Sequence, residues 1–210
     1  MTYLLIYNLH RFRSAVQSPD VSMRENGSPG RSTLLSVIAV FSALVALGTF
    51  MTIPLPPPVF EIIWSPVVFL TLAYFTDPAT SFSATAMGGF LGEALNVAYK
   101  AGGSPIYPFG MVWSTGPMVL FVYWARKRGT KALALAMTAA IIFETLGFFL
   151  ADWAFYAYGL FGYGSPSDAV TAFWAAFPDV PTTMFQLVYI PVVLYLIKMS
   201  APAFKRLGFG

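Results

Sequence analysis

The chain contains no cysteine, a single histidine (His10) and few charged residues. The lack of cysteine excludes disulfide bonds and thiolate metal sites, and a lone histidine argues against an imidazole-built metal centre. Charged residues make up 10% of the 210 residues, whereas a soluble domain carries about 25%. Together with 57% hydrophobic residues and a mean hydropathy of +0.68, this composition predicts an integral membrane protein.

Six apolar segments follow a polar N-terminal stretch. Residues 1–31 are rich in Ser, Asn, Gly, Pro and Arg, and we expect them to form a partly disordered cytoplasmic tail. Residues 32–210 are expected to form one all-α membrane domain, a bundle of six transmembrane helices. Each segment approaches the ~20 residues that cross a bilayer, and Pro66, Pro117 and Pro191 fall inside predicted helices. The predicted segments are 34–53, 59–75, 79–99, 106–124, 132–158 and 181–199.

The lysines and arginines predict the orientation of the chain. With six spans and both termini in the cytoplasm, eleven of the twelve basic residues fall on the cytoplasmic side and only Lys100 on the other. This asymmetry follows the positive-inside rule, which an odd number of spans would break. The net charge of +3 is therefore attributed to topology, and no nucleic-acid partner is expected. We expect a multi-pass protein of the cell membrane.

The third segment carries polar residues at membrane depth. Glu93, Asn96 and Lys100 fall on one face of the predicted helix. Beside that face, Gly88 and Gly92 form a small-xxx-small pair that lets a second helix approach closely. A charge inside the bilayer costs about 2.5–3.5 kcal/mol even on lenient scales, so it usually faces a cavity or a partner. The pattern predicts a binding site near one membrane surface, with a self-neutralising Glu93–Lys100 pair as the alternative.

The predicted orientation brings polar and aromatic residues of several helices into the outer third of the bundle. Such a set is typical of a pocket with aromatic walls and a few placed polar groups. Carboxylates outnumber the single lysine, which favours a cationic or amine-bearing planar ligand. The alternatives are interfacial tryptophans, a surface-exposed Glu61 and an interhelical hydrogen bond of Gln186. The predicted substrate-binding residues are Glu61, Trp64, Glu93, Asn96, Trp113, Asp152 and Gln186, with Glu144 deeper on the face of Asp152.

Residues 159–180 form a long connection for a helical bundle. They combine several glycines with aromatic residues, a pattern that suits a lid over the pocket. The alternative is an interfacial loop that rests its aromatic rings among the lipid headgroups. A second candidate surface is the stripe of Ser36, Ala39, Ala43 and Ala46 on the first segment, which fits either helix docking or ordinary packing.

Residues 33–207 resemble the substrate-binding S-components of energy-coupling factor (ECF) vitamin transporters. The likeness rests on six spans with both ends inside, the pair Ala39-Val-Phe-Ser-Ala43, the Asp77-Pro78 break and Gly88-Gly-Phe-Leu-Gly-Glu93. A small-residue start to the fourth segment completes it. The chain departs from the family in its long polar N-terminal tail.

This resemblance implies a binding subunit that is not an enzyme and needs no cofactor. It implies capture of a vitamin or its precursor from outside, with thiamine or a related cationic precursor as the favoured small organic ligand. Ala39 and Ala43 would then contact a transmembrane coupling protein, and two cytoplasmic ATPase subunits would drive transport. The sequence contains no Walker motif, so ATP hydrolysis is assigned to the partners.

Two other function classes stay open. A stand-alone proton-coupled carrier of a small organic solute would use Glu93, Glu144 and Asp152 as a proton relay, although no internal repeat supports it. An intramembrane enzyme with paired carboxylates is the least supported class, since the chain has almost no His and no Cys.

Overall fold

A computed structural model describes residues 29–55, 61–99 and 104–209 of the chain. Their regular structure is helical, apart from one antiparallel two-residue ladder that pairs Ile53 with Ile62 and Pro54 with Glu61. Of the predicted N-terminal tail, residues 1–28 lie outside the described residues, and so does Lys100. The elements are α1 (Arg31–Phe50), β1 (Ile53–Pro54), β2 (Glu61–Ile62), α2 (Ser65–Phe75), α3 (Pro78–Tyr99), α4 (Tyr107–Gly110), a π-helical turn (Met111–Thr115), α5 (Met118–Ala125), α6 (Thr130–Tyr158), α7 (Ala169–Ala176), α8 (Asp179–Met184), a 3-10 turn (Phe185–Val188) and α9 (Tyr189–Arg206).

Three helical stretches are long and apolar enough to cross a bilayer. They are Arg31–Phe50, Thr130–Tyr158 and Ala169–Arg206, the last of which takes in α7, α8 and α9. Only 22%, 33% and 22% of their most apolar windows are buried inside the protein, so most of this apolar surface faces outward, as it does in lipid. The prediction of a helical protein is confirmed, and three of its helical stretches are long and apolar enough to span a membrane. The count of six spans and the orientation stay predictions.

The second predicted segment becomes helical later than expected. The β1–β2 ladder uses Glu61 and Ile62, so α2 begins only at Ser65 and is 11 residues long. The prolines predicted inside helices lie in or directly before a first turn: Pro66 is the second residue of α2, Pro117 precedes α5 and Pro191 is the third residue of α9. A proline is tolerated there because the first-turn N–H groups have no intrahelical acceptor.

Helices α1 and α3 pack closely at the predicted glycine pair. A Cβ added at Gly88 would stand 2.5 Å from the Ser42 carbonyl oxygen, and one at Gly92 would stand 2.5 Å from that of Ala46. The Ser42 hydroxyl donates a hydrogen bond of 3.2 Å to the Ala84 carbonyl. The prediction that this pair lets another helix approach is therefore confirmed, and α1 is that helix.

Although short, α2 is the helix around which the others pack. Seven of its 11 residues are buried, and its Phe69 and Leu70 are fully enclosed by side chains of α5, α6 and α9. At its end, the Phe75 ring stacks on Phe204 of α9 at 4.1 Å, and the Arg126 guanidinium donates a 3.0 Å hydrogen bond to the Thr76 carbonyl. The end of α2, the α5–α6 connection and the end of α9 therefore meet at one end of the bundle.

Candidate functional site

A cavity of about 190 Å³ lies near the start of α2. Its walls come from the β2–α2 region, α3, α4, the π-helical turn, α6, α8 and the 3-10 turn. The Thr76–Arg126 contact lies beyond the other end of α2, about 15 Å away at 1.5 Å per residue. The cavity and the basic α5–α6 connection therefore occupy opposite ends of the bundle.

Four of the cavity's lining residues are carboxylic acids. Glu61 comes from β2, Glu93 from α3, Glu144 from α6 and Asp179 from α8, and none of the described lining residues is Lys, Arg or His. Tyr107 and Phe148 supply aromatic surface. A concave site with converging acidic groups and aromatic faces is suited to a positively charged ligand.

The π-helical turn holds Glu144 in place. The Thr115 hydroxyl donates to Glu144 Oε1 at 2.8 Å, and the Ser114 hydroxyl donates to the Glu144 carbonyl at 3.0 Å. Pro117 has no N–H to continue an α-helical ladder, and the Gly116 N–H instead donates to the Met111 carbonyl at 3.0 Å. Gly147 on α6 lets this turn approach, because a Cβ there would overlap the Ser114 hydroxyl. As a result, the Glu144 side chain is fixed while only 3% exposed.

Asp152 is the acceptor of two tyrosine hydroxyls. Tyr107 Oη donates to Oδ2 and Tyr163 Oη donates to Oδ1, both at 2.7 Å. Asp179 of α8 interacts with the same carboxyl group. Burial and the neighbouring Asp152 raise the pKa of Tyr163, so its phenol stays protonated and donates. We call Tyr107, Asp152 and Tyr163 the tyrosine latch.

The tyrosine latch borders both the acidic cavity and a second cavity of about 540 Å³. Tyr107 lines both of them, and Tyr156 and Tyr163 also line the second. The connection that follows α6 turns at Gly159, whose left-handed conformation (φ +61°) ends the helix. The Ser104 hydroxyl holds this connection by donating to the Phe161 carbonyl at 2.8 Å. Whether residues 159–180 move as a lid stays a prediction.

The predicted site residues fall into three groups. Glu61, Glu93 and Gln186 line the acidic cavity. Asn96 lies behind it and donates to Glu93 Oε2 at 2.9 Å and to the Thr49 carbonyl at 3.1 Å, and Asp152 acts through the tyrosine latch. Trp64 and Trp113 are 45% and 41% exposed and do not line the cavity. The Trp64 ring instead lies against the Tyr189 ring at 5.8 Å.

Sequence reasoning missed Asp179, Tyr107 and Thr183. Asp179 fell within the predicted loop, although an acidic residue after Pro178 at the start of a short helix is a helix-start signal. Thr183 holds α8 on α6 by donating to the Thr145 hydroxyl at 2.8 Å. Tyr107 carries no sequence signal, because only the fold brings its hydroxyl to an aspartate 45 positions away.

Comparison of the chain with family models, curated proteins and solved structures found no match. In the part of the chain that the structure describes, no group of three or more His, Cys, Asp and Glu side chains is placed to hold a metal ion. The acidic cavity and its surroundings are therefore the features of this chain that bear on its function.

Proposed function

We propose that the chain is the membrane-embedded substrate-binding subunit of an ATP-driven uptake transporter of the ECF type. Its cargo is a small cationic organic micronutrient, with thiamine or a smaller cationic precursor as the favoured class. The acidic cavity carries this proposal, because carboxylic acids from four separate elements converge on one space with no described basic residue on its wall. Its volume of about 190 Å³ is below the ~300–1,000 Å³ of drug-sized ligand sites, which favours a small cargo.

The position of the basic residues relative to the cavity supports uptake from outside the cell. The basic residues of the α5–α6 connection and the end of α9, among them Arg126, Lys131 and Arg206, lie at the end of the bundle away from the cavity. With that end in the cytoplasm, the cavity faces outward. Ala39 and Ala43 are exposed on α1 and are proposed to contact the transmembrane coupling protein. Two cytoplasmic ATPase subunits would complete the transporter.

Native mass spectrometry of the purified protein tests the cargo and the partners together. We expect release of a small organic cation on collisional activation, and co-purification of a membrane protein with two ATPases from the native host. In cells, uptake should stop on ATP depletion and persist when the proton gradient is collapsed. Uptake into proteoliposomes that contain this chain alone, driven by a proton gradient, would contradict the proposal.

A stand-alone proton-coupled carrier is the second candidate, and the carboxyl pair of Asp152 and Asp179 favours it. Adjacent acidic groups within a helical bundle, here beside two tyrosine hydroxyls, are typical of proton relays in membrane carriers. The same proteoliposome assay separates the two functions. If this chain alone carries out proton-driven uptake and Asp179→Asn abolishes that uptake, the chain is a proton-coupled carrier and not a binding subunit.

A further inference from the structure

Four polar atoms on the wall of the acidic cavity have no hydrogen-bond partner among the described residues. Three of them belong to side chains that are more than nine-tenths buried, at 1%, 3% and 7% exposure for Ser65, Glu144 and Gln186. The fourth is on the partly buried Asp179. The atoms are Ser65 Oγ, Glu144 Oε2, Asp179 Oδ2 and Gln186 Oε1. Buried polar groups in proteins are nearly always hydrogen-bonded, so unpartnered atoms around one cavity indicate a ligand that binds them.

Three of these four atoms are pure acceptors when Glu144 and Asp179 are ionised, the state that a bound cation favours. Two carboxylate oxygens and an amide oxygen are acceptors, and the serine hydroxyl can accept as well as donate. Nearby hydroxyl groups already donate hydrogen bonds to other oxygens. Thr115 donates to Glu144 Oε1, and both tyrosines of the latch donate to Asp152. The Gln186 amide interacts with Glu144 without giving Oε2 a hydrogen bond. The N–H groups of a ligand would supply the donors that this site lacks.

We propose that the acidic cavity recognises a small organic cation through its N–H groups, as in a primary ammonium, an amidinium or a protonated aminopyridine-like ring. This inference rests on the proposed binding function and narrows its cargo. A quaternary cation carries the same charge and satisfies the ion pairing and cation–π contact with Tyr107 and Phe148. It has no N–H to donate, so it leaves the buried acceptors unpartnered. Sites built to hydrogen-bond a ligand discriminate strongly against analogues that lack the donor.

Two ring cations of the same size test this inference on the purified full-length protein. The probes are 4-aminopyridinium, which donates N–H hydrogen bonds, and N-methylpyridinium, which has the same number of non-hydrogen atoms and the same charge but no N–H. Benzoate serves as the anionic control. Binding is measured by isothermal titration and by displacement of any retained ligand in native mass spectra. We expect 4-aminopyridinium to bind at least about 100-fold more tightly than N-methylpyridinium.

Two substitutions locate the binding at the acidic cavity. Glu144→Gln keeps the size and the acceptor used by Thr115 but introduces an amide in place of Oε2, and we expect a loss of about 100-fold for 4-aminopyridinium. Ser65→Ala removes one hydroxyl at little structural risk and should cost about tenfold. Asp168→Asn, on an exposed aspartate away from the cavity, is the control and should leave affinity unchanged. Size-exclusion chromatography checks folding of each variant.

The outcomes separate this inference from the proposed function. Equal binding of the two cations overturns N–H recognition and leaves a cation-binding subunit intact. Binding of benzoate in preference to both cations overturns the inference and the cationic cargo together. If neither cation binds at millimolar concentration, or if Ser65→Ala and Glu144→Gln leave the affinity for 4-aminopyridinium unchanged, the N–H site is not at this cavity and the inference fails.

Discussion

Asp77 and Asp168 begin two helices with the same three hydrogen bonds. Asp77 Oδ1 accepts from the Ala79 and Thr80 N–H groups at 3.0 Å, and Oδ2 accepts from the Thr80 hydroxyl at 2.6 Å. Asp168 repeats this pattern with the second and third residues that follow it. Burial raises the pKa of Asp77, but the hydrogen bonds from Thr80 and Ala79 outweigh it and lower the pKa overall. Each carboxylate is therefore a charged N-cap.

We expect Asp77→Ala to destabilise the protein by about 1 kcal/mol at neutral pH, because it removes an N-cap. Since the folded pKa of Asp77 is lowered, its ionised form stabilises the fold above the unfolded value near 3.8. That contribution is lost as the pH falls through the folded pKa. Thermal unfolding in detergent from about pH 7 to about pH 3 should show the gap between wild type and variant narrowing only below about pH 4. A gap that stays constant across the range would contradict this assignment.

At the residue scale, the sequence predicts partners that are close in the chain and misses those brought together by folding. The Glu93–Asn96 contact follows from their spacing of three on one helix. Asp179 and Tyr107 could not be assigned, because each reaches the site through the packing of α8 and α4 on α6. Trp64 and Trp113 do not line the acidic cavity, and their role in binding stays a prediction, since helix depth alone does not say whether a ring faces a cavity or lipid.

At the element scale, the contact between α1 and α3 depends on two glycines. We expect Gly88→Ala to destabilise the protein by about 1–3 kcal/mol, because the new Cβ meets the Ser42 backbone and the Val45 side chain at 2.5–2.9 Å. Gly89→Ala is the comparison one position along, where the new Cβ faces the Met111 side chain at 3.0 Å and beyond and not the α1 backbone, so we expect a smaller loss of stability. Thermal unfolding of both variants tests the contact. Equal losses of stability would show that helix approach is not the reason for Gly88.

The tyrosine latch ties the connection after α6 to the wall of the acidic cavity. Tyr163→Phe removes one hydrogen bond to Asp152, and such a bond to a charged group contributes about 1.5–3 kcal/mol. We expect ligand dissociation to become about tenfold or more faster, as measured by stopped-flow release of a bound cation, because the connection can leave the cavity more easily. Tyr158→Phe, on a tyrosine that is 70% exposed, should leave the rate unchanged. An unchanged rate in Tyr163→Phe would mean that the latch is purely structural.

The long helices could be predicted because apolar composition and breakers define them locally. The predicted segments 79–99 and 132–158 correspond to α3 and α6 within two residues at each end. The fourth and sixth segments are instead divided into shorter pieces by the π-helical and 3-10 turns. The π-helical turn depends on Pro117 and on the close contact of Ser114 with Gly147, which the pattern of apolar residues does not reveal. The π-helical turn carries Met111 into the cavity, and the 3-10 turn carries Gln186.

At the scale of the whole molecule, the carboxylic acids of the cavity and the basic residues near Arg126 lie at opposite ends of the described bundle. The described part of α1 joins these ends, with Val37, Ser42 and Val45 buried against the bundle. Ala39 and Ala43 lie on its exposed side. A membrane subunit that only bound lipid there would tolerate large apolar side chains on this face, whereas a coupling surface would not. A large side chain on this face would therefore stop transport if the face is a coupling surface and would not affect transport if the face only meets lipid. Ligand binding would be unchanged in both cases.

We therefore expect Ala39→Trp to abolish ATP-driven uptake while the purified variant binds its ligand as tightly as wild type does. The indole would hold a partner helix away from α1, while Ala39 lies about 14 Å along the helix from Gly48, which contacts Ser65 of the cavity wall. Leu135→Trp, on an α6 residue that is 71% exposed, is the control and should transport normally. Loss of ligand binding together with uptake in Ala39→Trp would point to a disturbed α1–α3 contact. Normal uptake would remove Ala39 from the coupling surface and leave the exposed side of α1 to lipid.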